Sequence, residues 1–134
     1  HPQIEIKTEE ARNVLPKEIP LKKAITQWSN IGGLISGLYT NNYELIGKSM
    51  TDVIVEPVRK NLIPHFDTIK TAALKAGALG AGISGAGPTI FAMSKSIETA
   101  TKVYDAMKKT YNETEIEFEI FNSKISTKGV QTLV

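Results

Sequence analysis

An α+β fold is predicted, and three observations predict it. Glu115–Phe121 alternates strictly, with Ile116, Phe118 and Ile120 on one side and Glu115, Glu117 and Glu119 on the other. That is the period of a half-buried strand. Ile97, Ala100, Tyr104, Met107 and Tyr111 instead recur at helical spacing. Once the additional helices are set aside, the elements run β-α-β-β-α-β, the ferredoxin-like split βαβ plan. Its antiparallel sheet carries helices on one face, and the glutamate row of the last strand suits the uncovered face.

The elements follow in order. Gln3–Lys7 alternates, Ile4 and Ile6 against Gln3, Glu5 and Lys7, as a half-buried strand does. Thr8 is placed to cap a short helix with Glu9 and Glu10 in its positive first turn. That helix carries Arg12 and Val14 and stops before Leu15-Pro16. After Pro20, Leu21, Ala24, Ile25, Trp28, Ile31, Ile35 and Leu38 mark a long helix, in which Trp28 is expected in the core. Gly32, Gly33 and Gly37 each cost such a helix about 1 kcal/mol relative to alanine, a cost that close packing against a neighbour would offset.

A shorter helix is expected over Tyr43–Met50, and Pro57 and Pro64 break Asp52–Pro64 into short pieces. His65–Ala76 is helical, with Phe66, Ile69, Ala73 and Ala76 on one face and Gly77 as its stop. Leu79–Ser84 and Thr89–Ser94 read as strands, and Ser126–Val134 as a short edge strand or a tail.

The length of 134 residues suits one domain, or one lobe of something larger. A net charge of +2 with both signs scattered gives no basic stripe, so no nucleic-acid partner is expected. The absence of cysteine excludes disulfides and thiolate metal sites, and neither histidine has metal-ligand spacing. Both histidines, His1 and His65, are expected at the surface. Two long uncharged runs, Ala24–Tyr43 and Ala76–Ser94, are too rich in polar residues and glycine to be membrane spans. The chain opens at His1 with no initiator Met and no signal-peptide pattern, as an excised domain would.

Five of the ten glycines fall between Gly77 and Gly87. Gly80-Ala-Gly82-Ile-Ser-Gly85 has the G-x-G-x-x-G spacing of a dinucleotide fingerprint, which must follow a strand and open a helix. Here a helical pattern precedes the glycines and the β-prone Thr89-Ile90-Phe91 follows, so that reading is rejected. A glycine-rich hairpin turning at Gly85-Ala86-Gly87-Pro88 is one remaining reading. The other is a bare backbone surface whose successive N–H groups form an anion nest, with the Ser84 hydroxyl as a further donor.

Gly82-Ile-Ser84-Gly85-Ala86-Gly87-Pro88-Thr89 resembles the third motif of the GHMP small-molecule kinases. Three more segments resemble the homoserine kinases among them: Thr8-Glu-Glu-Ala11-Arg12 with Leu15-Pro16, Asp52-Val-Ile-Val-Glu56-Pro57-Val-Arg59, and Leu62-Ile63-Pro64-His65-Phe66. In the last, His65 stands where that family has glycine. Lys128-Gly129-Val130 is a weaker echo of the family's closing segment. The likeness spans the whole chain but only the C-terminal lobe, residues 1–134, because the first two motifs are absent.

The resemblance implies a cytoplasmic enzyme of threonine biosynthesis that phosphorylates the hydroxyl of L-homoserine with ATP. It implies that ATP and Mg2+ are bound mainly by a separate N-terminal domain, that this lobe holds no metal or catalytic base, and that it is inactive alone. A homodimer is compatible with it. Arg12, Arg59, Thr8 and Gly85 would bind substrate, the two arginines gripping its carboxylate as a planar fork can. Gly82, Ser84, Gly85, Ala86 and Gly87 would support the phosphate loop. Asp52 and Glu56 are read as arginine-orienting or structural. Two alternatives stand beside this: a lobe of another GHMP kinase, or a stand-alone amino-acid-binding module, since fold does not decide function.

Overall fold

In the computed structural model, which describes residues 1–130 and 132, the chain orders six α-helices around one β-hairpin. The helices are α1 (Thr8–Asn13), α2 (Leu21–Thr40), α3 (Tyr43–Ser49), α4 (Glu56–Arg59), α5 (Phe66–Lys75) and α6 (Ile97–Asn112), with a 3-10 turn at Lys60–Leu62 after α4. The strands β1 (Gly80–Ile83) and β2 (Ile90–Met93) pair antiparallel, Gly80 opposite Met93 and Ile83 opposite Ile90. The α+β class is as expected.

The core lies between this hairpin and the α5–α6 pair. Phe66, Ile69 and Ala73 of α5 meet Val103, Met107 and Tyr111 of α6, with Ala81 and Ile90 from the strands and Ile63 closing one end. Phe66 and Ile69 are fully buried, worth about 1.5–3 kcal/mol each. The Tyr111 ring stacks on Phe118 at 4.9 Å, while its hydroxyl is buried with no partner among the described residues. Burial pushes that phenol's pKa up.

Local chemistry sets the helix ends. The left-handed Asn41 ends α2, and the Asn42 amide returns to the Gly37 carbonyl at 2.9 Å. The Asn42 side chain then accepts from the Leu45 amide at 3.0 Å and starts α3. Ser96 caps α6 in the same way through Thr99. Gly77 ends α5 as predicted, the Ala78 amide reaching the Ala73 carbonyl. Gly37 is small because α3 crosses there: a Cβ on it would stand 2.9 Å from Ile46 Cγ1 and 3.0 Å from the Ile46 nitrogen.

Four expectations need correction. The outer strands, Gln3–Lys7 and Glu115–Phe121, reduce to one antiparallel bridge, Pro2 with Phe118. The burial alternates as expected in both, but the Ile4 amide is taken by the Pro2 carbonyl and the Ile116 amide by the Thr114 hydroxyl, so no longer ladder forms. Thr8 does not cap α1; Lys7 occupies that position and no side chain bonds the first turn. Trp28 is not core: it is 62% exposed. Ser126–Val130 forms no strand, and residues 131, 133 and 134 of that stretch lie outside the described residues. Among the described residues, no helix is long and apolar enough to cross a membrane.

Candidate functional site

The site forms where α1, α4 and the hairpin turn meet, and Arg59 is the joint. At the end of the short α4, Arg59 donates from Nε to the Ala11 carbonyl of α1 at 2.9 Å. From Nη1 it donates to the Gly85 carbonyl at 3.1 Å. One guanidinium thus fixes the residue before Arg12 and the tip of the hairpin. The rest of its fork remains available, because arginine carries five N–H donors and accepts nothing. Arg12 is exposed on α1, and its side chain makes no hydrogen bond or ion pair among the described residues.

The hairpin turn is closed twice. The Ser84 amide donates to the Thr89 carbonyl at 2.8 Å, and the Gly87 amide to the Ser84 carbonyl at 3.0 Å. Gly85, with φ of 61°, adopts the left-handed conformation that glycine accepts without steric cost. Between these closures, the Gly85 and Ala86 amides find no acceptor among the described residues. The nest is therefore narrower than predicted. Gly85 and Ala86 offer N–H groups and exposed Ser84 its hydroxyl, whereas the Ser84 and Gly87 amides are spent on the turn. A Cβ on Gly87 would meet Ile63 at 3.0 Å, so Gly87 backs onto the core. The hairpin reading holds, and two amides at its tip have no acceptor among the described residues.

Beside the turn lies a cavity of about 390 Å³, lined by Gly82 and Phe91 of the hairpin, Glu56, Asp52 and, from α2, Ile31 and Leu34. Gly82 lets the Glu56 carboxylate in: a Cβ there would stand 3.3 Å from Glu56 Oε2. Glu56 is ion-paired with Lys70 of α5, both side chains largely buried. Asp52 Oδ1 accepts from the Ile54 and Val55 amides, both at 2.8 Å, and so closes the turn that leads into α4. Neither carboxylate bonds Arg59, so of the two roles expected for them the structural one is seen. Thr8 is exposed, with no side-chain bond among the described residues.

Sequence reasoning passed over three residues here. Lys70 neutralises Glu56, Gln27 accepts from the Val53 amide at 3.0 Å, and Asn30 donates to the Thr51 carbonyl at 2.7 Å. The last two tie α2 to the segment leading into α4. Their signal was faint: two amide side chains three apart on one helix, among other polar residues. No group of three or more His, Cys, Asp or Glu able to hold a metal ion is assembled among the described residues.

A helix-flanked hairpin is thus bound by an arginine to a neighbouring helix, and its tip turns two N–H groups toward no acceptor among the described residues. Residues 34–113 match the family described as GHMP kinases C terminal, and the chain belongs to that family. Its relatives narrow the class. It is 49% identical over 135 residues to a homoserine kinase of Chlorobium phaeobacteroides (strain BS1), covering 99% of this chain and 42% of that protein. It is 36% identical over 123 residues to a homoserine kinase of Pyrococcus abyssi (strain GE5 / Orsay), covering 92% and 41%. The crystal structure of homoserine kinase from Cytophaga hutchinsonii ATCC 33406 superposes with a TM-score of 0.91 at 53% identity, over 93% of this chain and 40% of that one. The chain thus spans about two-fifths of the length of these relatives.

Proposed function

We propose that this chain is the substrate-side lobe of a homoserine kinase, and that the intact protein transfers the γ-phosphoryl of ATP to the side-chain hydroxyl of L-homoserine. The product is O-phospho-L-homoserine, on the route to threonine. The observation that carries this reading is the Arg59 joint, which gathers the neighbourhood of Arg12 and the hairpin tip into one place. The names of the relatives supply the substrate.

The substrate carboxylate would lie against the outer edge of Arg59 and the exposed Arg12, with Thr8 alongside. Two arginines suit that anion because a guanidinium is always charged and meets carboxylate oxygens through paired N–H groups. The Gly85 and Ala86 amides and the Ser84 hydroxyl would face the phosphoryl oxygens. Phosphoryl transfer depends chiefly on positioning and on electrostatic support for spreading charge, so such donors contribute without acting as a base. The carboxylates do not fit a magnesium site in this lobe, since Glu56 is held by Lys70 and Asp52 by backbone amides. ATP and Mg2+ are therefore assigned mainly to the part of the protein outside this chain. We place the enzyme in the cytoplasm, as the resemblance to the homoserine kinases implies.

The test is Arg59→Ala in the intact protein. Each charged hydrogen bond lost is worth about 1.5–3 kcal/mol, so kcat/KM for homoserine should fall roughly 10- to 100-fold. The KM for ATP should stay nearly constant. An unchanged homoserine KM and kcat would overturn the assignment.

A further inference from the structure

A charged pair is buried where Arg59 is mounted. Glu56 and Lys70 are ion-paired with side chains 14% and 19% exposed. The carboxylates of the other two ion pairs among the described residues, Glu44 and Asp67, are 78% and 71% exposed. Burial costs such a pair most of its Coulombic gain, and packed apolar side chains in its place are often as stable or more so. Stability alone therefore does not account for Glu56 and Lys70 at this place.

The geometry gives them another task. Helix α4 is a single turn, far below the roughly 12 residues at which an isolated helix becomes marginal, and none of its residues is fully buried. Neither propensity nor a buried apolar face fixes where it lies. Its two end residues do. Glu56, at the first position, comes against Gly82, where a Cβ would stand 3.3 Å from Oε2. Arg59, at the last, donates to the Gly85 carbonyl. The two contacts are three residues apart on the helix and three apart on the hairpin, so α4 is held along the hairpin at both ends. Lys70 anchors the first end. It comes from α5, and its ammonium stands 5.8 Å from the ring centre of the fully buried Phe66. The pair thus ties α4 to a helix of the core.

We propose, resting on the role given to Arg59 under the proposed function, that Glu56 and Lys70 are positioning residues for it. The buried pair fixes the first end of α4 against Gly82 and thereby sets the place of the guanidinium at the other end. Neither side chain bonds that guanidinium, so the effect runs through the helix backbone. Three residues of helix rise only about 4.5 Å, too short a span to bend, and a displacement of Glu56 reaches Arg59 almost whole. Without Lys70, Glu56 carries an uncompensated charge in a largely buried place. Its carboxylate then moves out toward the cavity it lines, and the first end of α4 leaves Gly82 with it. A group held on the order of 1 Å out of place can cost about 100-fold in rate.

A double-mutant cycle in the intact protein tests this, with kinetics read well below the melting temperature of each variant. Lys70→Met should lower kcat/KM for homoserine about 10-fold and leave the KM for ATP nearly constant. In an Arg59→Ala background the same substitution should cost less than about 2-fold, because the residue it acts through is gone. An unchanged homoserine kcat/KM in Lys70→Met, or an equal loss with and without Arg59, overturns the proposal. So does a KM for ATP that rises in step, which a general loosening of the lobe would give. Should Lys70→Met fail to fold, Glu56→Gln, which keeps the size of the side chain, is put through the same cycle and judged by the same outcomes. If Arg59→Ala itself leaves homoserine turnover unchanged, the proposed site falls and the positioning role with it. If Arg59→Ala is costly and Lys70→Met is not, the positioning role falls alone.

Discussion

His65 stands at the start of α5 with φ of 62°, in the left-handed region that side chains other than glycine enter at a cost of about 1–2 kcal/mol. The residue is exposed and its side chain makes no cap bond, so nothing local offsets that cost. The backbone at this point explains why glycine stands there in the family motif that Leu62–Phe66 resembles. His65→Gly should therefore raise stability by about 1 kcal/mol, less what the added freedom of the unfolded chain removes. Urea melts would check it; a lower midpoint with an unchanged slope would show that His65 makes a compensating contact. The motif match was legible in the sequence, but the reason for the departure was not, because φ is set by how the 3-10 turn feeds α5.

At the scale of elements, the α2–α3 hairpin depends on the missing side chain at Gly37. A methyl there collides with Ile46 and with its backbone nitrogen, and the backbone cannot yield as a flexible side-chain end can. Gly37→Ala should destabilise the chain by about 1–3 kcal/mol, although alanine is the better helix former by about 1 kcal/mol. A thermal melt equal to or above that of the parent would contradict this. The need for close packing at Gly33 and Gly37 was readable from helix cost alone. The same expectation at Gly32 fails, since no described atom lies within 4 Å of where its Cβ would stand. Periodicity reports that a face is apolar but not what covers it, so Trp28 was placed in a core that this chain does not supply. The same limit applies to the outer strands. Alternation in Gln3–Lys7 and Glu115–Phe121 gave each residue's side correctly, while local bonds to Ile4 and Ile116 cut the ladder short. At the site, Arg59 and the glycine turn were found from motifs. Which of the turn's amides remain unbonded required coordinates, because Ser84 and Gly87 differ from Gly85 and Ala86 only in where their amides point.

For the whole molecule, the site is one-sided. It presents donors and positive charge from Arg12, Arg59 and the turn, but the chain covers about two-fifths of its relatives' length. Catalysis should need the remainder, to which the proposed function assigns the phosphate-binding side. The isolated 134-residue chain should show no ATP-dependent phosphorylation of homoserine above background. A coupled ADP-release assay checks this, and measurable turnover by the isolated chain would refute it.

The Pro2–Phe118 bridge has a consequence for how the chain folds. The His1 and Glu119 backbones that flank it are 118 positions apart, whereas β1 and β2 are joined by a short turn and α2 runs almost directly into α3. Closure entropy rises with the logarithm of loop length, so the hairpin and the α2–α3 pair can form early from local contacts. Joining the two ends must wait until the hairpin, α5 and α6 have brought them near. In kinetic terms the bridge belongs to the late, downhill side of the barrier: weakening it should speed unfolding and leave the folding rate nearly untouched.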